Sequence, residues 1–199
     1  MKITAAMVKE LRTATGAGVL DAKKALESSD GDFEKASDIL REKGAARAAK
    51  RSGREVTEGV IETYAHPGNR VGVMLELNCE TDFVARNEQF LQLAHDLALH
   101  IAAMSPQYVR IEDVPAEELD REMSVLRAQA LAEGKPEKIA DKIVDGRIRK
   151  FYEEFCLLEQ PYVRDDKVTI GQLITNAIST TGENIRIRRF VRYELGEAL

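Results

Sequence analysis

The sequence contains no tryptophan, only two cysteines and three histidines, and an aromatic content of 6%. Cys79 and Cys156 lie far apart without metal-ligand spacing, so neither a disulfide framework nor a thiolate zinc site has support, and a reducing compartment is expected. His95 and His100 are five positions apart, which puts them on different faces of a helix instead of at the i, i+4 spacing that chelates a metal. His66 falls in a turn with no acid or thiol beside it. Also absent are a Walker-type phosphate loop, a Gly-x-Ser-x-Gly elbow and a nucleophile with its base. Asp82 alone cannot supply a carboxylate pair. No enzyme activity, metal site or cofactor is therefore expected. No segment approaches the apolar length of a transmembrane helix, and the amphipathic stretch Met1 to Glu10 lacks the apolar core of a signal peptide, so the expectation is a cytoplasmic protein without a membrane partner. With 29 Lys and Arg against 34 Asp and Glu, a net charge of -5 gives no global electrostatic reason to expect nucleic acid.

What is there divides by pattern. A chain of 199 residues that is 44% hydrophobic can hold one sizeable core, or a small domain joined to a larger one. Thr4 is placed to cap a first helix burying Met7, Val8 and Leu11, with Gly16 at its left-handed end. Gly18 opens a second helix, Val19 to Glu27, with Val19, Ala22 and Leu26 sharing an inner face while Leu20 points elsewhere. Asp32 can cap a third helix carrying Phe33, Ala36 and Leu40, expected to close at Gly44. Three such helices over residues 1–45 make a bundle that is marginal alone by size, hence expected to be a mobile module tethered to a larger body. A basic linker follows at 46–55, with Arg47, Lys50, Arg51 and Arg54 but no interleaved aromatics to stack bases.

Residues 56–199 read as an α+β core domain. Val56 to Ala65 suits a strand. The turn His66-Pro67-Gly68-Asn69 joins it to a cleanly alternating second strand, Val71, Val73, Leu75, Leu77 and Cys79, as a hairpin. Phe90, Leu93, Leu97, Ile101 and Met104 then recur at helical spacing. Pro115 and Pro136 start two further helices around Gly134, predicting a helical hairpin over about 115–159, with Ile139, Ile143, Val144, Ile148, Phe151 and Phe155 as a stripe and Pro161 as a stop. Thr169 and Gln172 fit a capping box for a last helix. Beyond Gly182, Ile185 and Ile187 alternate with arginines until Arg189 and Phe190 invert the phase, as across a bulge. This strand is expected to return to the hairpin and complete a three-stranded antiparallel sheet, with Phe190 offering an apolar outer face.

Between the alternating strand and the helix that follows lies Asn78-Cys79-Glu80-Thr81-Asp82-Phe83-Val84-Ala85-Arg86-Asn87. Thr81 and Asp82 can accept hydrogen bonds from free helix amides. Phe83 either folds into the core or stands out towards another molecule, and the residues alone leave both open.

Thr81 to Asn87 after such a strand resembles the signature of the elongation factor Ts family. So do Val8-Lys9-Glu10-Leu11-Arg12 and Thr15 to Leu26 at the start, Leu157 to Val163 after the hairpin, and Gly182-Glu183-Asn184-Ile185 leading into Arg188-Arg189-Phe190, all in the family's order. The resemblance implies a ubiquitin-associated-like three-helix domain at 1–45 ahead of the α+β core. It also implies binding to the GTPase elongation factor Tu and promotion of GDP release, without covalent chemistry. Thr81, Asp82, Phe83 and Val84 would act in dislodging the partner's Mg²⁺, while Arg12, Val19, Leu20 and Lys23 would contact its nucleotide domain. The chain is short for the family and resembles members without an inserted dimerisation subdomain, which suggests a homodimer through the sheet.

Overall fold

Thr4 does begin the first helix: its side chain accepts from the Met7 amide, and α1 runs Ala5–Thr15 to a left-handed Gly16 at φ 68° whose N–H returns to the Arg12 carbonyl. The computed structural model describes residues 2–197, Lys138 through its backbone alone. Helix α2 spans Val19–Ser28 and α3 spans Phe33–Arg51, the latter capped by Asp32, which accepts from the Lys35 amide. Val8, Leu11, Ala22, Ala25, Leu26, Ala36 and Leu40 bury together as the bundle's core, edged by Ile3, Met7, Phe33 and Ile39. Two expectations for the bundle need correction. Helix α3 does not close at Gly44 but continues through an alanine-rich stretch of high helix propensity, so much of the segment expected to be linker is helical. Val19 is exposed, whereas Ala22, Ala25 and Leu26 are the positions of α2 that bury.

The chain forms two compact units, each assembled from separated segments. The first holds Met1–Ile61, Glu76–Ala94 and Gln172–Ile187. In it Gly16 and Gly44 of the bundle come close to Thr180 and Ser179 of α8 (Ile170–Thr181), and within the bundle Arg47 makes a two-pronged ion pair with Asp21 at 3.0 and 3.1 Å. That guanidinium holds the Asp21 carboxyl below its usual range. The unit also carries α4 (Asp82–Ala85) and the start of α5 (Glu88–Met104).

The second unit holds Glu62–Leu75, His95–Gly171 and Arg188–Leu199. Its helical hairpin is α6 (Ala116–Ala132) and α7 (Glu137–Phe155), joined through a left-handed Gly134 and tied by Arg127–Asp141 at 3.0 Å and Arg147–Glu133 at 2.9 Å. Ala130, Ala140 and Val144 supply its buried positions, whereas Ile139, expected on the inner stripe, is exposed. Beyond α7, Pro161 does more than stop a helix: Pro161–Tyr162 pairs antiparallel with Asp165–Thr169, giving the short strands β3 and β4.

Strands β1 (Glu58–Ala65), β2 (Val71–Cys79) and β5 (Arg186–Glu194) form a three-stranded sheet in the order β1-β2-β5. The His66 amide bonds to the Val71 carbonyl at 2.9 Å, closing the hairpin, and the Leu195 amide bonds to the Arg70 carbonyl at 2.8 Å, so the end of β5 meets the start of β2 as antiparallel pairing requires. The α+β architecture and the three-stranded sheet match what the patterns predict. The phase of β5 inverts as expected, but Phe190 is half-buried, and Val191 and Tyr193 are the exposed apolar side chains.

In the second unit His100 is fully buried, with both ring nitrogens engaged. The Val163 amide donates to Nδ1 at 3.2 Å, which leaves Nε2 as the donor to Gln160 Oε1 at 3.0 Å. The Gln160 amide group in turn donates to the Glu154 carbonyl at 2.6 Å, and the Tyr162 ring packs 6.1 Å away. Burial lowers the His100 pKa below its ordinary 6.5, outweighing the Gln160 bond, which favours the charged form. Because the folded pKa lies below the unfolded one, the unfolded chain takes up the proton first. The neutral ring's contribution to stability is therefore complete above pH 6.5 and is lost as pH falls below it. Urea midpoints measured at falling pH are expected to decline below that point with a slope of up to about 1.4 kcal/mol per pH unit from this residue. The slope should shrink in His100→Gln.

Candidate functional site

The corner between β2 and α5 is built from chain geometry outward. At Thr81 the backbone is still extended, φ -129° and ψ 155°, and the next four residues turn into α4, a helix of a single turn. One turn cannot sustain itself, because nucleation fixes several dihedrals for one hydrogen bond. The turn is held from outside. Thr81 Oγ1 accepts from the Val84 amide at 3.4 Å, and Ala85 is buried beneath. The expected single transition from strand to long helix is thus two steps: α4 ends at Ala85 with Arg86 as its C-cap, and Asn87 Oδ1 then accepts from the Gln89 amide at 2.8 Å to start α5.

Phe83 is 85% exposed. This answers the question the residues left open: the aromatic stands out, while its neighbour Ala85 goes in. Asp82 forms an ion pair with Arg86 at 3.1 Å one turn on, and Val84 is half-buried. A large apolar ring on a capped, single-turn corner is a surface feature that folding alone does not require.

Several partners of this corner were not singled out by sequence reading. The Glu183 carboxylate accepts from the Glu80 amide at 3.1 Å, the Thr81 amide at 3.0 Å and the Thr81 hydroxyl at 2.6 Å. Glu80 reciprocates by accepting from the Asn184 amide at 2.6 Å, and Arg54 Nη1 donates to both Glu80 oxygens at 3.3 Å. Asn184 Nδ2 donates to the Arg54 carbonyl at 2.9 Å. Cys79 Sγ donates to the Thr81 carbonyl at 3.2 Å, and burial together with the Glu183 charge pushes the thiol up to about 11, so it stays protonated and inert. Beneath the corner, Gly59 at φ 147° lies so close to Leu77 that a Cβ would sit 2.2 Å from its carbonyl oxygen. A sequence signal existed only in part: Glu80 adjoins Thr81, but Glu183 lies 102 residues further on.

The second group of nominated residues lies on the bundle. Arg12, Val19 and Lys23 line a groove of 460 Å³ together with Ile3, Thr4, Ala5, Val8 and Lys9. Leu20 is not part of that lining but stands 72% exposed on the first turn of α2. Arg12 Nε also bonds to the Ala17 carbonyl at 3.3 Å, and Lys23 forms an exposed pair with Glu27. All eight nominated residues, Arg12, Val19, Leu20, Lys23 and Thr81 to Val84, belong to the first compact unit.

The histidines have separate hydrogen-bond partners: His66 with Tyr64, His95 with Glu62, and His100 with Gln160 and Val163. Among the described residues no group of three or more His, Cys, Asp or Glu is placed to hold a metal ion, and no helix is long and apolar enough to cross a membrane.

Fold and corner together define an α+β protein that joins a three-helix, ubiquitin-associated-like bundle to a small antiparallel sheet and displays an aromatic on a braced turn. The family model described as Elongation factor TS matches residues 2–197. The chain is 57% identical to Elongation factor Ts of Carboxydothermus hydrogenoformans over 197 residues, 99% of this chain and 91% of the relative. It is 58% identical to that of Desulforamulus reducens over 198 residues, covering 100% and 91%, and 57% identical to that of Syntrophus aciditrophicus over 199 residues, covering 100% and 99%. The chain belongs to the elongation factor Ts family, a family of translation elongation factors.

Thr81→Val keeps the shape of the side chain but removes both the acceptor for Val84 and the donor to Glu183. It is expected to cost about 1–2 kcal/mol in urea-induced unfolding, the usual range for a lost cap. An unchanged midpoint would show that the cap contributes nothing.

Proposed function

We propose that this chain binds elongation factor Tu, in its GDP-bound and nucleotide-free forms, and promotes GDP release by displacing the Mg²⁺ that the partner holds and destabilising its phosphate site. The observation that carries the reading is the exposed Phe83 on its braced corner. A rigid apolar wedge gains binding energy by entering a partner pocket, and groups displaced from that pocket lose their hold on metal and phosphate. The factor itself needs no cofactor and does no covalent chemistry. It need only bind the nucleotide-free partner better than the nucleotide-bound one, and linkage then requires bound nucleotide to weaken the complex by the same factor.

Arg12, Val19, Leu20 and Lys23 form the second contact, with exposed apolar side chains beside basic ones. Two contacts on one body raise the effective concentration of each for its target. In this reading residues 1–45 dock, residues 46–55, helical as far as Arg51, connect, and 56–199 carry the wedge. The protein works in the cytoplasm without direct contact to nucleic acid or membrane. In support, Arg54 and Arg192, which could otherwise face phosphates, are bound to Glu80 and to Glu194.

Phe83→Ala is expected to fold normally and to slow GDP release at saturating factor about thirtyfold, the scale of a central anchor worth ~2 kcal/mol. Leu20→Ala is expected instead to raise the factor concentration needed for half-maximal release, with the saturated rate preserved. Stopped-flow release of fluorescent GDP from elongation factor Tu measures both, and wild-type behaviour of folded Phe83→Ala would reject the wedge.

A second proposal concerns self-association. Tyr64, Met74, Val191 and Tyr193 line an apolar groove of 350 Å³ on the sheet, with Tyr193 70% exposed. Such a face fits an isologous homodimer. Sedimentation should show a dimer that Met74→Glu converts to monomer, and a monomer for the unmodified chain would refute it.

A further inference from the structure

The corner's hydrogen bonds run in a definite order, and the order has a direction. A threonine hydroxyl has one hydrogen and two lone pairs. Thr81 gives its hydrogen to Glu183 Oε1 at 2.6 Å, which leaves a lone pair free to accept the Val84 amide and so to hold α4 in its single turn. Glu183 Oε2 meanwhile takes the amides of Glu80 and Thr81, which lie beyond the last residue of β2 and have no ladder carbonyl to bond. One carboxylate thus terminates a strand and orients the cap of the next helix.

Glu183 is itself placed by the chain that follows it. Asn184 is buried and fastened through its backbone amide to Glu80 and through its side chain to the Arg54 carbonyl. The two carboxylates cross, each bonding backbone near the other, and Arg54 neutralises Glu80 so that the negative charges can lie together. A one-turn helix carrying an 85% exposed ring has little of its own to keep that ring in place.

We propose that Glu183 is a positioning residue for nucleotide exchange, its carboxylate holding Thr81 in the cap so that α4 presents Phe83 at a fixed angle to the partner. The proposal rests on the reading of Phe83 as the wedge. It assigns Glu183 no contact with the partner. Its removal should therefore leave docking largely intact and impair the step in which the docked wedge displaces partner groups. A small misplacement of a working group is enough to cost rate heavily.

The test uses the full chain with Glu183→Gln, which removes the charge and turns one of the acceptors into a donor, and Glu183→Asp, which keeps the charge but withdraws the oxygens by one methylene. GDP release from elongation factor Tu loaded with fluorescent GDP is followed across factor concentrations. Both variants are expected to slow the saturated rate about tenfold, with the half-saturating concentration changed less than about twofold. Amide hydrogen exchange should show lost protection at Thr81 and Val84 and unchanged protection at Leu77. In a Phe83→Ala background, Glu183→Gln should slow release no further, because a residue acting only through Phe83 has nothing left to position. Multiplying losses, a change confined to half-saturation, or saturated rates equal to wild type would overturn the role of Glu183 while leaving the wedge standing. Wild-type release by Phe83→Ala would overturn the wedge and this proposal with it.

Discussion

Where a strand leaves a sheet and a helix has not yet begun, backbone amides lose their partners, and burying each one unpaired costs about 1–3 kcal/mol. In this protein that constraint is met at one place by side-chain carboxylates brought from the far end of the chain. Glu183 serves the amides after β2, Glu80 serves the amide before β5, and the sheet, α4 and the display of Phe83 depend on the exchange. Gly59 permits the backbone approach underneath, and Cys79 adds a thiol donor from the buried side. The site is therefore a consequence of ending a sheet properly.

The N-terminal bundle meets a different difficulty. Its core is small, built on Leu11, Leu26, Leu40 and several alanines. Val19 and Leu20 on the first turn of α2 are exposed, and α3 extends to Arg51 in the unit that also contains most of α8. The small residues Gly16 and Gly44 face hydroxyl side chains of α8, and the Asp21–Arg47 pair links α2 to α3. The bundle's exposed apolar positions are thus carried on a supported base.

Groups of types that carry chemistry in other proteins have structural uses here. Burial pushes Cys156, like Cys79, up to about 11, which keeps it a thiol. His100 serves as a neutral two-sided hydrogen-bonding link between α5 and the β3–β4 segment, and the Tyr108 hydroxyl, bonded to Glu118 at 2.6 Å, is pushed up to about 12. Each of these groups is held in the protonation state that its neighbours require.

Much of the architecture was legible from local pattern because its causes are local. Thr4, Asp32 and Thr81 accept from amides three residues away, Gly16 supplies the left-handed turn, and strict alternation from Val71 to Cys79 assigns a strand with one buried face. Where one local signal misled, either a competing local propensity or longer-range packing was the reason. Gly44 read as a stop but sits inside a helix whose following alanines favour continuation, Val19 had the spacing of a core residue but lines an open groove, and Ile139 yielded its inner position to Ala140. By itself the sequence determined the elements, their order, the family and the corner's capacity to cap a helix, since propensity, periodicity and capping act over a few residues. Only the tertiary structure decided that Phe83 points outward and which groups brace it. A bond between residues 81 and 183 leaves no periodic trace along the chain, and exists only once the sheet has brought the two ends together.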